Sequence, residues 1–503
     1  MSRLNRLAVL DLGSNSVRML VVEANADGQW RVIDEARALL RLGDCLMQRG
    51  VLAPLLPTAI WVVCSWVQRA RQAGVDQIVA VATAALRAAP DGAAFTRSVE
   101  QASGIRIRIV DGQEEASLGF LGAMQTLDIA DGNLVDLGGA STELTSFASR
   151  QRLRSVSMAL GSVTLGRRFF TSDPPTATQV ASAEKTIRKE LSAVLPDPAA
   201  GLPLVAVGGS FRSIAKMQLR ASGYPLTTLH NYQLSPSVID DFCLKLGRMT
   251  ASQRRQVPGL AAHRAETVLG ALALAQGVCK WLKPSVIVIS GTGLREGVMF
   301  EQLHQRPPSA GSDLLEISVD NLLFQLAAEP DPALLHLAGC LAHALSPLLP
   351  KDFMPLIVAC AKLRALGQRV NFYDRHTHTF YLIIHSRLFG LSHGQQVVLA
   401  AAAGYEGPHR LTQVLRPYAQ LIGPEGSLLA ARLGLVVAFA EALLRQHPAH
   451  HLEVGAQISA KEISLTIQGS SPAPTIPYDE LSRLSGHFAK VFGRKLRTHF
   501  SAV

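Results

Sequence analysis

Two stretches of the chain carry one pattern. Residues 9–20 read VLDLGSNSVRML and residues 135–144 read VDLGGASTEL. In each, an apolar run ends on an aspartate (Asp11 or Asp136), followed by Leu-Gly, two short residues and a serine. Glycine turns just after a strand bring backbone N–H groups close to an anion, and hydroxyls add donors. A third turn of this kind is Gly208-Gly209-Ser210. The candidate phosphate-binding loops are therefore Gly13-Ser14-Asn15-Ser16, Gly138-Gly139-Ala140-Ser141-Thr142 and Gly208-Gly209-Ser210. A carboxylate beside a phosphate cradle repels its ligand unless a cation lies between them. Asp11, Asp136 and Glu143 thus point to Mg²⁺ or Mn²⁺, held through few carboxylates with water and phosphate completing the shell. For Glu143, at a strand end, helix capping is the competing explanation.

Glu114 and Glu115 open the helix-like stretch DGQEEASLGF. Acids there complement the helix dipole. The chemical alternative is a general base that activates water. Neighbouring helix positions point in different directions, so at most one of the pair faces a cleft. Arg18, after the first glycine turn, and Arg87, which closes VATAALR, are candidates for neutralising phosphate charge.

Alternating strands and helices must position these groups. LAVLDLG, RMLVVEA and WRVIDEARALLRLG read as successive strands, QIVAVATAAL as a buried strand entering a helix, and IRIRIV as a strand before the helix EEASLGFLGAMQTL. The pattern restarts after DIADGN with LVDLGGASTELTSF, RSVSMAL, LVAVGG and VIVISG. Strands alternating with helices imply α/β lobes with mixed sheets. Two lobes in series, 1–126 and 127–304, would each lend one Asp-Leu-Gly loop to a shared cleft.

Beyond the connector HQRPPSAGSD the texture becomes helical, and 12 of the 15 histidines lie after residue 304. A helical domain over 305–420 and a small α+β domain over 421–503 are expected, the latter closing on a helix through FAKVFGRKLRTHF. A length of 503 residues suits three or four domains, at about 150 residues each. The net charge of +10 favours an anionic partner. The six cysteines form no Cys-x-x-Cys pair and read as free thiols of a reducing compartment. No signal-peptide layout is present, and the apolar stretch LGLVVAFAEALL, interrupted by Glu441, reads as too short to span a bilayer. A cytoplasmic protein without a membrane span is the expectation.

The ordered phrases LAVLDLGSNSVRML, VATAALR, VDGQEEASLGF, VDLGGASTEL, SMALGSVTL, AVGGSFRSIA, LHNYQL, VPGLAAHRAETVLGA and SGTGLREGVM resemble the exopolyphosphatase/guanosine pentaphosphatase family. The resemblance implies two actin-like lobes of the ribonuclease H-like, sugar-kinase and Hsp70 type. It implies hydrolysis of a terminal phosphoanhydride with Glu115 as base on water. It also implies phosphate binding by Ser14, Asn15, Gly138, Gly139, Ser141, Gly208, Gly209 and Ser210, Arg87 as a substrate-binding arginine, and Asp136, Glu143 and Asp11 as metal-associated acids. Three departures are Ala140 for a third glycine, Asn231 for a glycine and Glu266 for an aspartate. The C-terminal part resembles the HD-like domain and small final domain of the longer members, and a homodimer is the expectation for this chain. His376 and His378 match its histidine pair, but Leu363-Arg364 stands where a metal site needs His-Asp, so a metal-free domain is expected.

Inorganic polyphosphate is the first expected substrate and guanosine pentaphosphate the second, with no nucleic acid partner. Two other classes compete. An actin-like kinase or ATPase would use the same loops, but the Glu115 phrase favours water as acceptor. A non-catalytic sensor of polyphosphate or the alarmone fits poorly with intact Glu115 and Asp136.

Overall fold

The apolar run before each Asp-Leu-Gly phrase forms a strand at the centre of a sheet. In the first lobe these strands are β1 (Asn5–Leu12), β2 (Val17–Ala24), β3 (Trp30–Ala38), β4 (Gln77–Ala82) and β5 (Ile107–Ile109). The first three form an antiparallel meander, and β4 and β5 join in parallel beyond β1, giving the order β3-β2-β1-β4-β5. β1 is apolar on both faces because both are covered. Leu10 and Leu12 pack with Val63, Val67, Phe95 and Val99 of the helices Leu56–Gln72 and Gly92–Ser103, and the helix Leu294–Gln302 lies against β1 as well.

The second lobe repeats this plan with β6 (Gly132–Leu137), β7 (Thr142–Ala148), β8 (Gln151–Met158), β9 (Leu204–Val207), β10 (Gln233–Leu234) and β11 (Ile287–Ile289). Its order is β10-β11-β9-β6-β7-β8. Read from β8, it is again a meander followed by parallel additions, with β10 as an extra antiparallel edge. The repeated phrase is the same turn built twice. Leu12 pairs Val17, and Leu137 pairs Thr142. Gly13 N–H donates to Ser16 O at 3.2 Å, and Gly138 N–H donates to Ser141 O at 3.1 Å. The doubled α/β architecture read from the sequence is the one observed.

The computed structural model describes residues 4–304, 313–446, 452–469 and 479–502, so the connector at 305–312 lies outside the described residues. The chain divides into two compact units, Met1–Leu314 and Leu315–Val503. Within the first, the helices Gly112–Met124 and Leu294–Gln302 cross so closely that a Cβ on Gly122 would strike Gly293 O, and one on Gly297 would strike Leu118 O. The chain thereby returns from β11 to the first lobe, where Arg295 donates to Met19 O (3.3 Å) and Arg108 pairs with Glu301 (2.8 Å).

The second unit stacks the helices Pro332–Ala344, Met354–Leu363, Arg375–Ile384 and His393–Ala403 with a long helical run, Ala419–Gln446. Gly423 (φ 63°) interrupts that run just before Pro424, beside the division expected at 420/421. The run is longer than its sequence suggested. Pro408–Arg445 is long and apolar enough to cross a membrane, but 67% of its most apolar window is buried inside the protein, as in a core helix. Glu441 is accommodated there by Arg364 (2.9 Å) and Arg445 (2.7 Å). Arg364 also donates to Ala403 O and Tyr405 O at 2.8 and 2.7 Å. The unit closes with β12 (Glu453–Ile458), β13 (Glu462–Gly469), the helix Asp479–Phe492 and β14 (Lys495–Ala502). The closing helix expected through FAKVFGRKLRTHF therefore stops at Phe492. Gly493 turns the chain at φ 67°, and Lys495–Ala502 pairs in parallel with β13.

Candidate active site

The two repeated turns meet face to face. A Cβ on Gly139 would lie 3.4 Å from Ser14 Cβ and 4.0 Å from Asn15 Cβ. Each turn has its carbonyls held from behind by a helix N-terminus. Gly43 N–H donates to Ser14 O (2.7 Å) and Arg41 N–H to Asn15 O (3.0 Å), at the start of the helix Leu42–Arg49. In the second lobe, Ser162 N–H donates to Gly138 O (3.0 Å) and Val163 N–H to Gly139 O (2.9 Å), at the start of Ser162–Phe169. With their acceptors engaged, the turns have donors left to offer the cleft. The third turn caps the helix Gly209–Ala221. Gly208 adopts φ 97°, and any Cβ there would lie 2.8 Å from Asp136 Oδ1.

One cleft between the lobes is lined by Asp11, Ser14, Asn15, Arg18, Glu115, Asp136, Gly138, Gly139, Ser141, Gly208, Gly209 and Ser210. Arg87 and Glu143, both candidate site residues from sequence, stand outside the lining, as does Glu114. Arg87 lies behind Glu115, with Nη1 3.1 Å from Glu115 Oε2 and 2.6 Å from Val110 O. Glu143 is buried in the next layer and accepts from Ser157 Oγ at 2.9 Å. In register, Asp11 sits opposite Arg18 and Asp136 opposite Glu143, so the two hairpins place opposite charges at equivalent positions.

The helix Gly112–Met124 delivers Glu115. Asp111 caps it by accepting from the N–H groups of Gln113 and Glu114 at 2.8 and 2.9 Å. Glu115 then turns into the cleft while Glu114 turns out to Arg108 (3.1 Å). Burial pushes the Glu115 carboxyl up to about 7, with Arg87 opposing and the nearby Asp136 and Asp11 adding to the rise. Asp136 is pushed up to about 6 by burial, against Arg212. Burial also raises Asp11 and Glu143. Four acids thus share one buried region, where the loss of solvation outweighs the arginines around them. Asp11 Oδ1 is buried without a hydrogen-bond partner. Among the described residues, no three of His, Cys, Asp and Glu converge as a protein-only metal cage.

The remaining wall escaped the sequence reading. Thr83, Arg212, Arg264, Arg295 and Glu296 also line the cleft. Arg212 and Arg264 are each pushed down to about 10, first by burial and then by neighbouring arginines. Burial works against the charge of Glu296, but Arg295 at 2.8 Å outweighs it and holds the carboxyl below its usual range. A second cavity shares Arg18, Gly209, Arg212, Arg264 and Arg295 with the first and adds Arg37, Lys216 and His263. Arg212, Arg264 and Arg295 lie inside GGSFR, AHRAET and GLREG, but nothing in local spacing singles out an arginine there. Their convergence is a tertiary fact. Of the three departures, Ala140 is not in the left-handed region and is absent from the cleft lining. Asn231 takes the glycine-like φ of 61° that asparagine tolerates, and Glu266 pairs with Arg255 at 3.1 Å.

Two matching lobes with glycine turns around a cleft of acids and arginines define an actin-like phosphoryl-transfer architecture. Residues 21–306 match the model of the Ppx/GppA phosphatase family, and the chain belongs to that family. It is a phosphoanhydride hydrolase. Similar curated proteins include Exopolyphosphatase 1 of Mycobacterium leprae, 28% identical over 62% of this chain and 94% of that protein. Exopolyphosphatase 1 of Mycobacterium tuberculosis is also 28% identical, over 62% and 92%. Among solved structures, an exopolyphosphatase-like protein is 26% identical with a TM-score of 0.55, covering 59% of this chain and 98% of that one. An exopolyphosphatase from Cytophaga hutchinsonii shares the fold at 22% identity, with a TM-score of 0.56 over 60% and 98% of the two chains.

Proposed function

We propose that the cleft removes the terminal phosphate of inorganic polyphosphate, with Glu115 taking the proton of the attacking water. The observation that carries this reading is the run of Arg18, Arg212, Arg264 and Arg295 from the acid-lined cleft into a second cavity walled by Arg37 and Lys216. A linear polyanion needs a cationic track behind the reacting phosphate. A nucleoside end needs stacking, and neither cavity has an aromatic side chain other than His263 among its lining residues.

Phosphoryl transfer asks mainly for positioning and charge. The three glycine turns, with Ser14, Asn15, Ser141 and Ser210, hold the terminal phosphate, and the arginines hold its neighbours. Arg87 keeps Glu115 aimed inward, and burial makes that carboxylate a stronger base than a solvated glutamate. Asp11 and Asp136 would hold Mg²⁺ or Mn²⁺, with Glu143 supporting from behind. The ion supplies charge neutralisation between these carboxylates and phosphate oxygens. The orphaned Asp11 oxygen and the raised carboxyls suit such a cation.

The test is orthophosphate release from long-chain polyphosphate and from guanosine pentaphosphate, side by side, with and without Mg²⁺. The reading expects Mg²⁺-dependent turnover and a higher kcat/KM for polyphosphate. A preference for guanosine pentaphosphate would reassign the substrate, and ATP-dependent phosphorylation of an added sugar would reassign the reaction.

A further inference from the structure

The chain crosses between the lobes of the first unit at two places, the segment after Met124 and the segment from Ser290 to Gly293. Both are buried polar backbone, and they touch. Thr126 Oγ1 lies 2.9 Å from Thr292 Oγ1, and Ser290 Oγ donates to Thr292 O at 2.8 Å. Thr126, Ser290 and Thr292 are all buried.

His230, itself buried, joins the two crossings. Its Nε2 lies 3.1 Å from Thr126 O, and Gly291 N–H donates to its Nδ1, also at 3.1 Å. An amide N–H can only donate, so Nδ1 carries the lone pair and Nε2 the proton, which it gives to Thr126 O. The ring also packs on the glycine, since a Cβ at Gly291 would lie 3.0 Å from His230 Cβ. The carbonyl of the same residue, in the next peptide unit, accepts from Arg212: Gly291 O lies 3.3 Å from Arg212 Nη1. Arg212 lines both cavities and is electrostatically coupled to Asp136.

We propose that His230 is a positioning residue for phosphoryl transfer. By holding Gly291 at its N–H it fixes the carbonyl of that residue and with it the guanidinium of Arg212, and through Thr126 it ties Gly291 to the other lobe crossing. The proposal rests on the reading of Arg212 as a phosphate-binding group. His230 touches no substrate. It orients a half-buried donor whose value depends on placement, where a displacement near 1 Å costs up to about 10²-fold.

The two ring nitrogens can be separated by substitution. His230→Asn can keep an acceptor at the Nδ1 position for Gly291 N–H but cannot reach Thr126 O. His230→Gln reaches Thr126 O and leaves Gly291 N–H without its acceptor. With polyphosphate and Mg²⁺, His230→Gln is expected to lower kcat/KM by at least about tenfold while His230→Asn retains most of it. Their thermal midpoints should be similar. The decisive arm is a cycle with Arg212→Gln. If His230 acts through Arg212, adding His230→Gln to Arg212→Gln causes little further loss. Full additivity, or equal losses in the two His230 variants, overturns the positioning role and leaves the cleft assignment standing. Arg212→Gln with wild-type kcat/KM overturns both.

Discussion

Gly161→Ala is a test of the loop geometry that leaves every proposed functional group in place. Gly161 precedes the helix Ser162–Phe169 with φ −126° and ψ 176°, a conformation open to alanine, so the cost is steric alone. Its Cβ would lie 2.5 Å from Ala140 N and nearer still to the Gly139 carbonyl. Ordinary contact begins at 3.4 Å, so the turn 138–141 must retreat by about 1 Å, and both offending groups are backbone that cannot rotate away. Retreat means moving towards Ser14, already in contact with Gly139, and weakening the bonds from Ser162 and Val163 N–H that hold the turn. Overpacking of this kind costs about 1–3 kcal/mol of stability. A displacement near 1 Å in a phosphate cradle costs on the order of 10²-fold in kcat/KM. The assay is orthophosphate release under Mg²⁺, with the thermal midpoint recorded on the same samples. Gly339→Ala, where a Cβ meets nothing within 4 Å, serves as the control and should behave as wild type. A folded Gly161→Ala protein within about threefold of wild-type kcat/KM would refute the claim that this turn holds the reacting phosphate.

Three further outcomes are expected. The activity limb should follow Glu115: its ionised form is the active one and its carboxyl is pushed up to about 7, so kcat/KM falls as pH drops through about 7 rather than 4.5. Mg²⁺ favours the carboxylate and should move this limb to lower pH; a profile flat from about pH 5 to 9 contradicts the assignment. Gly208→Ala, forced to φ 97° with its Cβ 2.8 Å from Asp136, should lose about 1–3 kcal/mol and most activity, read by thermal unfolding and phosphate release. In the second unit, Arg364→Leu removes one partner of the half-buried Glu441, which keeps Arg445, and leaves Ala403 O and Tyr405 O without their donor, so it should cost about 1–3 kcal/mol in denaturant unfolding.

The parts of the site that the sequence revealed were those written locally. The aspartate and its glycine turn follow one another directly at the end of an apolar strand, and the turn they form depends on little else. Both copies could therefore be paired before any fold was known. The Glu114–Glu115 pair was legible as the acidic start of a helix, but spacing said only that at most one of them faces inward; Glu115 was picked out by the family resemblance, and the Asp111 cap and the pairing of Glu114 with Arg108 show how it is turned in. The arginine wall was not. Arg212, Arg264 and Arg295 come from three separate elements, and each alone looks like an ordinary surface residue. Glu143 was legible as an acid of the second hairpin, but its placement behind the cleft wall depends on how β7 packs against Ser157 in β8. In the second unit, Gly493 was passed over because FAKVFGRKLRTHF has apolar residues compatible with a helix. The left-handed glycine and pairing with β13 decided otherwise.

The central claim is that Glu115 serves as the base in this cleft. The most direct measurement is polyphosphate turnover by Glu115→Gln, paired with tripolyphosphate binding by calorimetry on the same protein. Loss of a general base predicts a fall in kcat of roughly 10²–10⁴-fold, with the dissociation constant changed little because the arginines and glycine turns remain. Wild-type turnover by this variant would contradict the assignment, whatever its affinity.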